Sequence, residues 1–157
     1  PNNDVYLNIT GVSDGTPLVR AVSEANSWTG ILPATQDYAI QAVAAGDSTP
    51  YDLSITIPIW IRLSPGSDST VVQGKARVHQ IVDYVLYGQE GQTMDITVTS
   101  PNNDALLSVT ALEDGIPLLR VVAEATQWSG VLPGTEHYLI RVFASGDTTY
   151  TLEVTIK

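Results

Sequence analysis

The sequence predicts an all-β protein made of antiparallel β-sandwich units in tandem, the first of them incomplete. Three observations predict it. Apolar and polar residues alternate with the period of half-buried strands. Turn signals recur at roughly eight to twelve residues, with no long helical window between them. The chain also repeats itself at a spacing of a hundred residues, and internal repetition governs architecture wherever it occurs.

Residues 1–49 align without a gap on residues 101–149, with 25 identities in 49 positions. Pro1-Asn2-Asn3-Asp4 matches Pro101-Asn102-Asn103-Asp104, and Asp14-Gly15-x-Pro17-Leu18-x-Arg20 matches Asp114-Gly115-x-Pro117-Leu118-x-Arg120. Trp28-x-Gly30-x-Leu32-Pro33-x-Thr35 matches Trp128-x-Gly130-x-Leu132-Pro133-x-Thr135, followed by Tyr38 on Tyr138 and Gly46-Asp47 on Gly146-Asp147. After one extra residue, Pro50, Tyr51-x-Leu53-x-Ile55-x-Ile57 matches Tyr150-x-Leu152-x-Val154-x-Ile156. Residues 59–157 therefore read as a whole unit. Residues 1–58 read as the later part of another, with nothing that corresponds to 59–100.

The elements follow in chain order. Val5, Leu7 and Ile9 alternate with Tyr6, Asn8 and Thr10, a strand with one face inward. Asp14-Gly15 and Asp114-Gly115 are hairpin signals, because glycine accepts the positive φ of a tight turn. Residues 19–26 are the best helical window, yet they are short and lie between turns, so strand followed by loop is expected there. Residues 53–63 are expected to run as one extended strand or strand pair, with Pro58 at an edge or crossover because it has no N–H to donate. In the whole unit, strands are expected at 59–63, 70–74, 78–87, 93–99, 104–112, 117–123, 127–131, 137–144 and 150–156. Trp28 and Trp128, between turn residues, read as core plugs. Trp60 has no counterpart, and its neighbourhood Ile59-Trp60-Ile61-Arg62-Leu63 reads as an interface or an edge strand.

Composition narrows the function. With 43% hydrophobic and 15% charged residues in a chain of 157, a packed core forms. Seven Lys and Arg against 17 Asp and Glu give a net charge of −10, which argues against a nucleic acid or an anionic membrane as partner. The absence of cysteine excludes disulfides, thiolate zinc sites and a cysteine nucleophile. No apolar run approaches the roughly 20 residues of a membrane span. The chain opens on Pro1 rather than Met, as a processed or cut chain does.

No catalytic constellation stands out, and no enzyme activity is expected. His79 and His137, the two histidines, read as surface residues, since a histidine base needs a positioned nucleophile and an orienting carboxylate. There is no phosphate-binding glycine loop, HExxH or EF-hand spacing. Composition leaves paired carboxylates open as glycosidase chemistry, but nearly every acidic residue shared by the two repeats sits beside Gly or Asn, where it serves a turn. Calcium is the one cofactor the loops suggest, since hard cations take six to eight oxygens. Asp4, Asp47, Asp104 and Asp147 are the metal candidates, and Asp104 near Asp147 is the first place to look. Capping of the turn's own backbone by each Asx side chain is the favoured alternative. Asn8-Ile9-Thr10 is the single N-glycosylation sequon, and Asn8 would face solvent if Val5, Leu7 and Ile9 face the core.

Val82-Asp83-Tyr84, Gly91-Gln92-Thr93, Trp128-x-Gly130-x-Leu132-Pro133 and Tyr138-x-Ile140-x-Val142 together make the unit resemble the bacterial pre-peptidase C-terminal domain over most of 75–156. The resemblance implies a jelly-roll-like, non-catalytic β-sandwich of secreted and surface proteins, often in tandem and appended to other domains. It also implies calcium binding in some relatives and adhesion to polymers, carbohydrate among them, in others. The same elements resemble those of bacterial inhibitors of goose-type lysozyme. The Ser-Gly-x-x-Tyr loop of those inhibitors has no match in the corresponding stretch, 124–128.

The truncated first unit shapes the functional expectation. A piece of 58 residues buries only about 60% of its unfolded surface even when whole, and this piece lacks the counterparts of two central strands. Unpaired sheet edges recruit strands from other chains, and contacts that do not close on themselves make filaments. The expected function is a non-catalytic extracellular or cell-surface subunit. Copies of the chain would assemble head-to-tail into a filament or surface layer by strand complementation, the first unit completed by strands of a neighbour or by its own 59–100 segment, with the interface drawn from Ile59, Trp60, Ile61, Val82, Tyr84, Leu86, Met94, Ile96 and Val98. The alternative is a fragment of a tandem-repeat adhesin or the accessory binding region of a secreted hydrolase, and a lysozyme inhibitor ranks behind these.

Overall fold

The computed structural model describes residues 4–46 and 49–157 and is all-β, as the sequence predicts. The chain separates into two compact units, Pro1–Ile55 and Thr56–Lys157. In the N-terminal unit, β1 (Val5–Gly11), β2 (Pro17–Val19) and β3 (Tyr38–Ala44) form one antiparallel sheet in the order β2-β1-β3. In the C-terminal unit, β4 (Ile59–Trp60), β5 (Ser69–Ala76), β6 (Ile81–Gly88), β7 (Thr93–Thr99), β8 (Ala105–Ala111), β9 (Pro117–Leu119), β10 (Gln127–Val131), β11 (Glu136–Ala144) and β12 (Thr148–Ile156) make two sheets. The orders are β10-β7-β12-β5 and β4-β6-β11-β8-β9.

The two sheets of the C-terminal unit close on a single core. Tyr84, Leu86, Leu107, Val109, Tyr138, Ile140 and Val142 come from one sheet, and Met94, Ile96, Val98, Tyr150, Leu152, Val154 and Ile156 from the other. Period-2 alternation sends these residues inward. The Tyr84 and Tyr150 hydroxyls hydrogen-bond across the core at 2.7 Å, so two buried polar groups satisfy each other. Burial pushes the Tyr150 phenol far above its ordinary value, which keeps it protonated. Two glycines admit the bulk. A Cβ at Gly74 would overlap the Tyr150 ring, and one at Gly88 would overlap Leu132.

The repeated motifs form the same local structures in both units. Asp14 and Asp114 each accept the N–H two residues on, at 2.8 Å, and Gly15 and Gly115 take φ of 68° and 73°. The Leu-Pro-x-Thr-x-x-Tyr segment is a tyrosine corner: Tyr138 Oη donates to the Gly134 carbonyl at 2.6 Å, and Tyr38 Oη to the Ala34 carbonyl at 2.8 Å. Gly30 and Gly130 lie under the rings of Trp28 and Trp128, where a Cβ would stand 2.7 Å from the indole. Trp128 packs against the core as a plug, and Trp28 is half-buried.

Three expectations change. Residues 117–123 are not one strand: β9 ends at Leu119 and a single 3₁₀ turn, Val121–Ala123, follows, just as Ala21–Ser23 follows β2. Glu24 and Glu124 close these turns in the left-handed region. The extended run expected over 53–63 is confined to Ile59–Trp60, and residues 49–58 have no regular structure. Their alternation has no strand beside it to pair with. Pro58 directly precedes β4, an edge strand, and β4 pairs with β6 in parallel, not antiparallel.

Among the described residues the N-terminal unit forms one sheet, β2-β1-β3, and burial is lower there. Ile40 is 36% exposed and its counterpart Ile140 0%; Leu32 is 52% exposed and Leu132 1%. Leu132→Ala should therefore cost about 2–5 kcal/mol, whereas Leu32→Ala, the identical change at the equivalent position, should stay within about 0.5 kcal/mol. Hydrogen exchange checks both, because it reads stability unit by unit. Protection should fall in β7 and β11 for the first variant and stay unchanged in β1 and β3 for the second.

Candidate functional site

The outer face of the five-stranded sheet carries an aromatic cluster at its β4 edge. Leu86 and Tyr138 point into the core, so their neighbours Tyr87 and His137, paired across β6 and β11, point out. Trp60 on β4 lies alongside Val85 of β6. The His137 ring is the hub. Trp60 meets it edge-on at 5.3 Å and 84°, and Tyr87 at 5.1 Å and 61°. Its Nδ1 lies 3.0 Å from Glu113 Oε1, which fixes the ring. Glu113 is itself anchored at the backbone, where its N–H donates to the buried carboxylate of Glu136 at 2.8 Å.

This packing holds large apolar surfaces in water. Trp60 remains 48% exposed and Tyr87 49%, although each ring is braced by the imidazole. Beside them an open cleft of about 290 Å³ is lined by Trp60, Ile61, Arg62, Leu63, Leu86 and Tyr87. Rigid tryptophan, tyrosine and arginine in one patch are the residue types that dominate protein-recognition energetics, because they bury much area for little lost freedom. None of the described partners of the Glu113–His137 pair is a serine, threonine or cysteine.

His137 thus differs from the surface residue expected of it: its side chain is only 19% exposed. The signal lay in departures from the repeat. Trp60 and Tyr87 fall in the stretch without a counterpart, and Glu113 and His137 align with Ser13 and Asp37.

The other sequence candidates scatter. Asp147 is exposed and its Oδ1 accepts the Val78 N–H at 2.8 Å, a capping role. Asp104 is held below its ordinary value chiefly by the Thr148 hydroxyl and then by that of Ser100, while its Oδ1 is shielded without a hydrogen bond. The Asp4 carbonyl accepts the Ala45 N–H at 2.7 Å, the counterpart of Ser145 on Asp104 at 2.8 Å. Asp47 lies outside the described residues. Among the described residues no three acidic or histidine side chains converge as a metal cage would. Asn8 is on β1 opposite Gln41, and its amide donates to Gln41 Oε1 at 2.7 Å.

Of the proposed interface, Ile61, Tyr84, Leu86, Met94, Ile96 and Val98 are buried in the core of the C-terminal unit, and Val82 packs against it. They close that unit's own sandwich, so they cannot reach a neighbour while it stays closed. Ile59 and Trp60 are the exposed members.

No family model matches the chain, and no curated protein matches it. Solved structures do. The periplasmic inhibitor of g-type lysozyme from Aeromonas hydrophila is 22% identical, with a TM-score of 0.55 over 64% of this chain and 96% of the inhibitor. The inhibitor of the same kind from Salmonella Typhimurium is 16% identical, with a TM-score of 0.50 over 66% of this chain and all of that one. The pre-peptidase C-terminal domain of a Bacillus anthracis collagenase is 16% identical, with a TM-score of 0.49 over 68% of this chain and all of the domain. One entire inhibitor thus corresponds to about two thirds of this chain, and at these identities the likeness to the inhibitors establishes a shared β-sandwich fold.

Proposed function

We propose that the C-terminal unit is a non-catalytic recognition module that binds a protein partner outside the cytoplasm through the Trp60–Tyr87–His137 surface. The observation that carries this reading is the pair of half-exposed aromatic rings braced on a fixed imidazole at the edge of a closed sandwich. Exposed aromatics gain most when a partner excludes water from them. A goose-type lysozyme is the first partner to test, because two proteins that share the fold are inhibitors of that enzyme. The stretch 124–128, where the Ser-Gly-x-x-Tyr loop is missing, is tied to the sandwich through the Ala125 and Thr126 carbonyls, which accept the Leu107 and Val98 N–H groups at 2.8 Å. The aromatic cluster is accordingly the better candidate for contact.

Assembly of copies into a filament or surface layer is a second reading, favoured by the open apolar face of the N-terminal sheet. Because β5–β7 of each copy are committed to its own core, such assembly requires copies to exchange strands.

Calorimetric titration of the chain with a goose-type lysozyme should give a saturable complex. Trp60→Ala and Tyr87→Ala should each weaken it about tenfold or more while the far-ultraviolet dichroism stays unchanged. Absence of heat and of inhibition of cell-wall lysis would remove lysozyme as the partner. Size-exclusion chromatography with negative-stain microscopy addresses the second reading: concentration-dependent fibres are its expected outcome, and a monodisperse monomer at high concentration defeats it.

A further inference from the structure

We infer that the N-terminal unit is a receptor for one particular kind of polypeptide, a further β5–β7-type segment placed ahead of β1 as β5–β7 are placed ahead of β8. It does not depend on the partner of the aromatic surface, and it stands as an alternative to association of copies for covering the N-terminal sheet.

The argument is an accounting of missing partners. Residues 27–31 correspond to β10, which hydrogen-bonds to β7 from Thr93 to Thr97. Residues 51–57 correspond to 150–156 of β12, which lies between β7 and β5. β3 corresponds to β11, which pairs with β6 on the side where β3 has no strand. In the N-terminal unit neither 27–31 nor 49–57 is a strand. Leu53 is 47% exposed, against 0% for Leu152. One three-stranded segment would supply all of these absent ladders and cover the exposed Ile40 and Leu32 together.

The occupant's chemistry follows from the repeat. It needs inward apolar residues in the register of Met94, Ile96 and Val98. It also needs glycine at the positions equivalent to Gly74 and Gly88, because Tyr51 and Leu32 align in sequence with Tyr150 and Leu132, whose side chains fill the space a Cβ there would take. A second copy of this chain does not meet the requirement, since releasing its β5–β7 would empty its own core of those three residues.

The test is the full chain with an additional copy of 59–100 fused ahead of Pro1, compared with the unfused chain by hydrogen exchange. Amide exchange across 51–57 should slow on the order of a hundredfold or more in the fusion. A fusion with valine at the added glycine equivalent to Gly88 should lose most of that gain. The C-terminal amides report whether each protein is folded. If the fusion does not fold, the 59–100 polypeptide added separately to the unfused chain should give the same protection. Fast exchange at 51–57 beside protected C-terminal amides overturns the inference, as does slow exchange there in the unfused chain.

Discussion

A β-strand is not a self-sufficient object, and that constraint organises this protein. Its backbone donors and acceptors are satisfied by neighbouring strands, and its apolar face by a second sheet. In the C-terminal unit both conditions hold. β12 is paired on each side by β5 and β7, and its inward residues Tyr150, Leu152, Val154 and Ile156 are buried. In the N-terminal unit neither holds for the same pattern, and Tyr51, Leu53 and Ile55 stand exposed on irregular chain. One repeated sequence thus takes two local structures.

What survives without the second layer is what can be closed over a short stretch of chain. The Asp-Gly turns cap themselves over two residues, and the tyrosine corners span four. Gln36 clasps its hairpin loop as Glu136 does, accepting the Ser13 N–H at 2.9 Å where Glu136 accepts that of Glu113 at 2.8 Å. The turns and corners cost little chain entropy to form, whereas the Gln36 and Glu136 clasps join positions 23 apart. The β1–β3 pairing survives too, because both strands lie within the repeated region.

The aromatic cluster arises where the C-terminal unit departs from its repeat. His137 replaces the aspartate type found at 37 and Glu113 the serine type at 13, while Trp60 and Tyr87 belong to the stretch that only this unit has. Trp60 alone stands out in the linear sequence, and nothing there joins it to the other three. Trp60 and His137 are 77 positions apart, and only the β4-β6-β11 order brings them to one edge. The acidic loops behave in the opposite way. They look like a cation site in sequence because they recur, yet much of their oxygen is spent on N–H and hydroxyl donors nearby.

The amino-acid sequence by itself determined the all-β class, the hundred-residue repeat and the main turn positions. All of these are written in short-range periodicity and in residues with a strong local preference. Tertiary structure alone decided that 27–31 and 49–57 stay irregular while 127–131 and Thr148–Ile156 become strands. It also decided that Trp60, Tyr87 and His137 share a surface. Strand pairing and sheet stacking join residues far apart in the chain, so a segment's own sequence cannot say whether its partner is there.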